Sequence, residues 1–174
     1  MVEVKSFAHM LSFQGPEFQK SLKSLEKEIN EKDLIIVDYG CGPGRYCEIL
    51  EKHSKQLYCV DIDPESLNIV RKKFKKAVIL NDLSKIDGKS VDIVFMANSF
   101  HDFEDKKTAV TEIKRILKDD GRVFVIDWEK KNTNFGPPQE LRLSKKDYLK
   151  YFNWMKLEKE FNGGKDHYGI ILKK

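Results

Sequence analysis

Apolar residues along the chain come in two kinds of run. Compact blocks recur at Leu34-Ile35-Ile36-Val37, Leu57-Tyr58-Cys59-Val60-Asp61-Ile62, residues 77–80, residues 91–97 and residues 122–128. Blocks this short and this apolar predict strands buried on both faces of a parallel sheet. Between them apolar residues recur three and four apart, which predicts helices. Gly15-Pro16-Glu17 opens one, with Phe18, Leu22, Leu25 and Ile29 on one face. Residues 46–53 form a second. Asp63 as N-cap and Pro64 in the first turn open a third, with Leu67, Val70 and Phe74 as its stripe. A fourth begins at Glu104-Asp105, carries Ala109, Val110, Ile113, Ile116 and Leu117, and stops at Asp120-Gly121.

The last third departs from this alternation. A long loop, residues 129–143, contains Gly136-Pro137-Pro138, and loops of that length inside a domain are usually functional or mobile. Ser144-Lys145-Lys146-Asp147 reads as a capping box with Asp in place of Glu, ahead of Tyr148, Leu149 and Phe152. Extended runs at 155–161 and 167–172 flank Asn162-Gly163-Gly164 and predict a β-hairpin. No helix fits between them, so the last strand must run antiparallel to its partner.

Composition narrows the class. At 174 residues the chain suits one domain, with an N-terminal lid and helix over residues 1–33 and a core over 34–174. No apolar run approaches a membrane span, and Glu3, Lys5 and His9 break up any signal-peptide core. Cys41, Cys47 and Cys59 are odd in number and lack a Cys-x-x-Cys pair, so free thiols in a reducing compartment, the cytoplasm, are expected, with no metal. A net charge of +4 with acids and bases interspersed leaves nucleic acid open as a partner without arguing for it. Oligomeric state is not legible.

The chemistry centres on Val37-Asp38-Tyr39-Gly40-Cys41-Gly42-Pro43-Gly44-Arg45-Tyr46. A strand, a glycine turn and a helix open a nucleotide-binding α/β fold, because glycine admits positive φ and close ligand approach. A dinucleotide fingerprint wants glycine or alanine where Arg45 stands, which argues against a nicotinamide-dependent oxidoreductase, and Gly-Lys-Ser/Thr is absent. Asp61, ending the second strand, is placed to accept from both ribose hydroxyls of a nucleoside. Asn98-Ser99-Phe100-His101-Asp102 follows the fourth strand, where ligands bind in open α/β sheets.

The Asp-x-Gly-x-Gly-x-Gly turn, Cys59-Val60-Asp61-Ile62-Asp63-Pro64, residues 90–98 and residues 112–123 together resemble the class I S-adenosylmethionine (SAM)-dependent methyltransferases, of the small type 11, UbiE-like kind. The resemblance runs from about Leu34 to the end. It implies a Rossmann-like, doubly wound, seven-stranded, mostly parallel sheet with an antiparallel last strand. It implies that Gly40, Gly42 and Gly44, flanked by Cys41 and Tyr46, wrap the methionine part of SAM, with Asp38 supporting its amino group. Asp61 would hold the ribose, Ile62 would pack on adenine, Asp82 and Leu83 would border it, and Asn98 would lie beside the methyl group. S-adenosylhomocysteine is the implied product.

Methyl transfer is an in-line displacement at an already activated carbon, so the protein supplies mainly orientation, worth about 7–11 kcal/mol. His101 is the candidate base for an acceptor that loses a proton. Phe13, Trp128 and Arg142 are acceptor-pocket candidates: Trp128 by stacking, Arg142 by holding an anion. The Asn/Asp-Pro-Pro-Tyr/Phe segment of enzymes that methylate adenine or glutamine amino groups is not present at Asn98-Ser99-Phe100-His101. A small-molecule acceptor is therefore expected. An RNA or protein acceptor is the alternative, and a non-catalytic SAM-binding protein a further one.

Overall fold

The computed structural model of the chain describes residues 15–174. Helix α1 (Pro16–Glu28) leads into β1 (Leu34–Tyr39), α2 (Cys47–Glu51), β2 (Ser54–Val60), α3 (Pro64–Lys73), β3 (Val78–Leu80) and β4 (Val91–Ala97). Helix α4 (Lys106–Ile116), β5 (Leu117–Trp128), α5 (Lys145–Tyr151), β6 (Lys156–Asn162) and β7 (His167–Lys173) complete it. The strands form one seven-stranded sheet in the order β3-β2-β1-β4-β5-β7-β6. β1 to β5 pair in parallel, and β7 runs antiparallel to both β5 and β6. This is the expected Rossmann-like arrangement with its closing hairpin. The chain leaves β1 toward β2 and β3, then crosses back to β4. The strand order therefore reverses between β1 and β4, the topological switch point at whose carboxyl ends open α/β sheets bind ligands.

The apolar blocks are strands because each alternates between two covered faces. Val37, Val94 and Met96 pack under α4 and α5, while Ile36, Ile93 and Phe95 pack under α1, α2 and α3, all without exposure. Leu25 and Ile29 bring α1 onto the second face. Asp63 accepts from the backbone N–H groups of Glu65 and Ser66, and the Ser144–Asp147 capping box closes in both directions. Among the described residues no helix is long and apolar enough to cross a membrane.

The differences from expectation lie at element ends. Helix α4 stops at Ile116, not at Asp120-Gly121, because Leu117 pairs with Val91 of β4 and the ladder resumes at Arg122 opposite Ile93. Pairing to a central strand overrides helical propensity there. The same helix begins two residues later than expected, since Asp105 is its N-cap and a 3₁₀ turn, Phe100–Asp102, precedes it. β2 starts at Ser54 and α2 is correspondingly short. The lid expected over Met1 to Gly15, with Phe13 in the acceptor pocket, lies outside the described residues except for Gly15.

Candidate cofactor and acceptor site

The glycine turn stands at the carboxyl end of β1. Gly40, Gly42 and Gly44 all take left-handed backbone, with φ of 78°, 50° and 82°. Their reasons differ. A side chain on Gly40 would sit 2.4 Å from Ser99 Cβ, so that glycine lets the turn abut the segment after β4. A side chain on Gly42 would meet nothing within 4 Å among the described residues. That backbone therefore faces open space, where a ligand can approach it. Ser99 ties the two segments together, its hydroxyl donating to the Tyr39 carbonyl at 3.0 Å.

Asp61, just past β2, latches the turn from the other side. Its Oδ2 accepts from the Gly42 N–H at 2.7 Å and its Oδ1 from the Asp63 N–H at 2.9 Å. Each carboxylate oxygen has a second lone pair, so both can still accept from ribose hydroxyls. Ile62, the next residue, is 90% exposed. An apolar side chain left in water beside a polar cradle suits a flat aromatic ligand face. Asp82 is exposed, and its Oδ1 takes the Ser84 N–H and hydroxyl. Leu83 is a core residue at 2% exposure, so its side chain points under the sheet and not at the rim.

Two polar groups at the strand ends are held unusually. Asp38 is 2% exposed and, among the described residues, receives one hydrogen bond, from the Cys47 thiol at 3.5 Å. Burial pushes its carboxyl up to about 7, the Cys47 thiol pulls the other way, and the Asp61 charge adds to the rise. Asn98 sits in left-handed backbone at φ 52°, and its buried Oδ1 has no hydrogen-bond partner among the described residues. Backbone strain and an orphaned acceptor at one residue mark a site built for something that arrives later. Cys41 packs under the turn, its thiol donating to the Gly42 carbonyl at 3.5 Å. Cys47 and Cys59 Sγ lie 3.3 Å apart below it, and all three cysteines are free thiols.

Three sequence-predicted residues do other work. Tyr46 is buried between α1 and the sheet, edge-on to Phe18 with its hydroxyl 3.4 Å from Ser21 Oγ. Arg142 is not presented to an anionic acceptor. It is 2% exposed and donates to the carbonyls of Pro137, Glu129, Lys131 and Phe135 and to the Thr133 hydroxyl. Trp128 is not open to stacking. Arg142 lies 5.0 Å over its ring, the His167 ring is centred 4.0 Å away, and Gly136 approaches so closely that a side chain there would sit 2.8 Å from the indole. Together they clasp the loop after β5, which explains why a long loop holds one shape.

His101 lies in the turn after β4, buried, with Nδ1 2.9 Å from Asp127 Oδ1 and Nε2 3.4 Å from Asp102 Oδ2. Burial alone would lower its pKa, but the Asp127 hydrogen bond and charge, with Asp102 behind, hold it above the ordinary value. Asp127 went unremarked in the sequence. Its only signal there is an acid inside the apolar run of β5.

An open, mostly parallel sheet with a glycine turn after its first strand and an aspartate just past its second defines a nucleoside-cofactor domain. The family model described as "Methyltransferase domain" matches residues 37–125. A solved type 11 methyltransferase structure from Sulfolobus solfataricus is 45% identical, covers 87% of this chain and 90% of its own, and superposes with a TM-score of 0.85. A SAM-dependent methyltransferase structure from Aquifex aeolicus, 22% identical with a TM-score of 0.82 over 95% of this chain and 97% of its own, shares the fold. Curated relatives include a methyltransferase-like protein of Schizosaccharomyces pombe, 32% identical over 100 residues, 55% of this chain and 39% of that protein. The ubiquinone/menaquinone biosynthesis C-methyltransferase of Campylobacter jejuni is 28% identical over 111 residues, 58% of this chain and 47% of that one. The chain thus spans less than half the length of these curated relatives. It belongs to the class I SAM-dependent methyltransferase family, whose cofactor is S-adenosylmethionine.

Proposed function

We propose that the protein transfers a methyl group from SAM to a small-molecule acceptor. The observation that carries the cofactor half is the convergence of an open Gly42, a latched Asp61 and an exposed Ile62 with the orphaned Asn98 Oδ1 at adjoining strand ends. These residues fit the cofactor's parts. Glycine-turn amides and Asp38 suit the amino-acid end, Asp61 the ribose, Ile62 the adenine face, and Asn98 the region near the sulfur. When bound, SAM supplies a methyl carbon activated for displacement. The chain's own task is to orient the acceptor and to keep water out.

The small-molecule reading rests on the segment after β4, Asn98-Ser99-Phe100-His101, which is not the Asn/Asp-Pro-Pro-Tyr/Phe segment of enzymes that methylate adenine or glutamine amino groups. It rests also on the name of the Campylobacter jejuni relative, a ubiquinone/menaquinone biosynthesis C-methyltransferase. A nucleic-acid acceptor is the second reading. It is favoured by a cleft of about 500 Å³ lined by Lys52, Lys55, Lys73, Lys75 and Lys76. That cleft opens at the start of β2, the edge away from the glycine turn, which ranks this reading second. The buried thiols fit a reducing cytoplasm.

Calorimetric titration with SAM, S-adenosylhomocysteine and NADH tests the cofactor reading. Micromolar binding of the first two, silence with NADH and loss in Asp61→Ala are expected; absence of SAM binding refutes it. An acceptor screen, with RNA binding followed across a salt series, then separates the two acceptor classes. Phosphate-driven binding weakens steeply with salt.

A further inference from the structure

The Asp127 carboxylate lies fully inside the protein at the carboxyl end of β5, where three groups among the described residues donate to it. Oδ1 accepts from His101 Nδ1 at 2.9 Å and from the Trp128 N–H at 2.8 Å, and Oδ2 accepts from the Tyr148 hydroxyl at 2.6 Å. An ionised carboxylate only accepts, so the proton of a neutral His101 belongs on Nδ1 and Nε2 is left bare. Tyr148 is itself locked in the core, against Phe100 and nearly parallel to Phe152. A buried carboxylate–imidazole pair adds little stability over well-packed apolar residues. The pair stands at the carboxyl ends of β4 and β5, with His101 three residues past Asn98, at the end of an open α/β sheet where ligands bind.

We propose that Asp127 and Tyr148 are positioning residues that hold His101 with Nε2 ready to take a proton, and that the methyl acceptor is one whose reacting atom gives up a proton: a hydroxyl, a thiol or a carbon acid. The proposal rests on the reading of the protein as a SAM-dependent methyltransferase. As an electron pair of the acceptor atom, a lone pair on oxygen or sulfur or the C–H pair of a carbon acid, forms the bond to the methyl carbon, the carbon–sulfur bond breaks and its electron pair goes to sulfur. The acceptor's proton passes to His101 Nε2, and the imidazolium charge is met by Asp127. An amine acceptor attacks through a lone pair it already has and needs no such base.

The groups around His101 set its basicity. Asp127 faces it from β5, with Tyr148 from α5 and Tyr168 from β7 behind that carboxylate; Asp102 is in its own turn, and Lys106 opposes from the first turn of α4. Asp102 is largely exposed and within 3.4 Å of Nε2, which gives the proton a way out to solvent. The two carboxylates outweigh both burial and the lysine, so His101 is a stronger base than free histidine.

Nitrogen-15 NMR of the imidazoles tests this, with His101 assigned from His101→Gln. The expected result is the Nδ1-protonated tautomer at high pH, in the free protein and in both cofactor complexes. With SAM bound, the midpoint should fall about one pH unit below that with S-adenosylhomocysteine, because the positive charge of a sulfonium opposes a second cation in the same site. Asp127→Asn should lower the midpoint and mix the tautomers, and Tyr148→Phe should do so more weakly. An Nε2-protonated tautomer, or equal midpoints in the two complexes, overturns the proposal and leaves the pair as a tie between the turn and β5. Failure to bind SAM in the calorimeter overturns the cofactor reading, and this proposal with it. The ligand comparison uses the unaltered protein, so it stands even where Asp127→Asn fails to fold.

Discussion

Asp38 makes the affinity for SAM depend on pH in a direction that can be worked out beforehand. Its carboxyl is raised from an ordinary 3.8 to about 7, chiefly by burial. A cofactor ammonium beside it needs the ionised form. Below pH 7, therefore, each binding event expels about one proton, and affinity falls about tenfold per pH unit. Between pH 7.5 and 5.5 the Kd should weaken about 20-fold. Above about pH 8 the ligand's own amino group loses its charge, so affinity peaks between the two. The linkage also acts on folding. A group whose folded pKa is raised stabilises the protein fully below its unfolded value and loses that contribution as pH rises through the folded one. Asp38 thus withdraws about 4 kcal/mol of stability between pH 4 and 7 in the free protein. Titration calorimetry in two buffers of different ionisation enthalpy counts the protons directly. Asp38→Asn should bind S-adenosylhomocysteine, which brings no sulfonium charge near His101, more weakly and with a flat profile between about pH 5.5 and 7.5, and should lose most of the fall in its urea midpoint between about pH 4 and 7. A flat profile in the unaltered protein, or a sloping one in Asp38→Asn, would refute the reasoning.

Three further substitutions probe separate parts of the site. Ile62→Ser should leave the unfolding free energy within about 0.5 kcal/mol, because the side chain is 90% exposed, yet weaken SAM binding about tenfold through lost apolar contact. Equal affinity would remove Ile62 from the adenine site. Gly40→Ala should cost about 2 kcal/mol of stability, since φ is 78° and the new methyl meets Ser99 Cβ at 2.4 Å; a neutral denaturation curve would contradict that geometry. Arg142→Ala should cost about 3 kcal/mol and open the loop after β5 to protease, while SAM binding by calorimetry stays unchanged. A stable variant with an intact loop would mean the clasp is not what holds it.

The strand and helix order was legible because nearly every apolar block is buried on two faces, and such blocks stand out against charged helices. The glycine turn and Asp61 were legible for a related reason: their chemistry is local, with Asp61 reaching Gly42 from the next strand in register. What escaped depends on topology. Asp127 meets His101 across 26 positions and Tyr148 across 21, and only the packing of β4, β5 and α5 makes them neighbours. Arg142 read as an anion binder because a lone arginine does not reveal that a folded-back loop will aim its carbonyls at it. The stop of α4 at Ile116 escaped because helical spacing continues to Leu117, and the competing partner, Val91, lies in another strand.

The hairpin that closes the sheet also decides how it ends. The outer strand β6 reads Lys156, Leu157, Glu158, Lys159, Glu160, and its charges are tied inward: Lys159 to Glu28, Glu160 to Lys145, Glu158 to Lys173. A second chain approaching edge-on would have to strip water from these groups before gaining a backbone hydrogen bond. The opposite edge, β3, is only three residues long. Concentrated solutions of the folded protein should therefore resist growing by sheet extension.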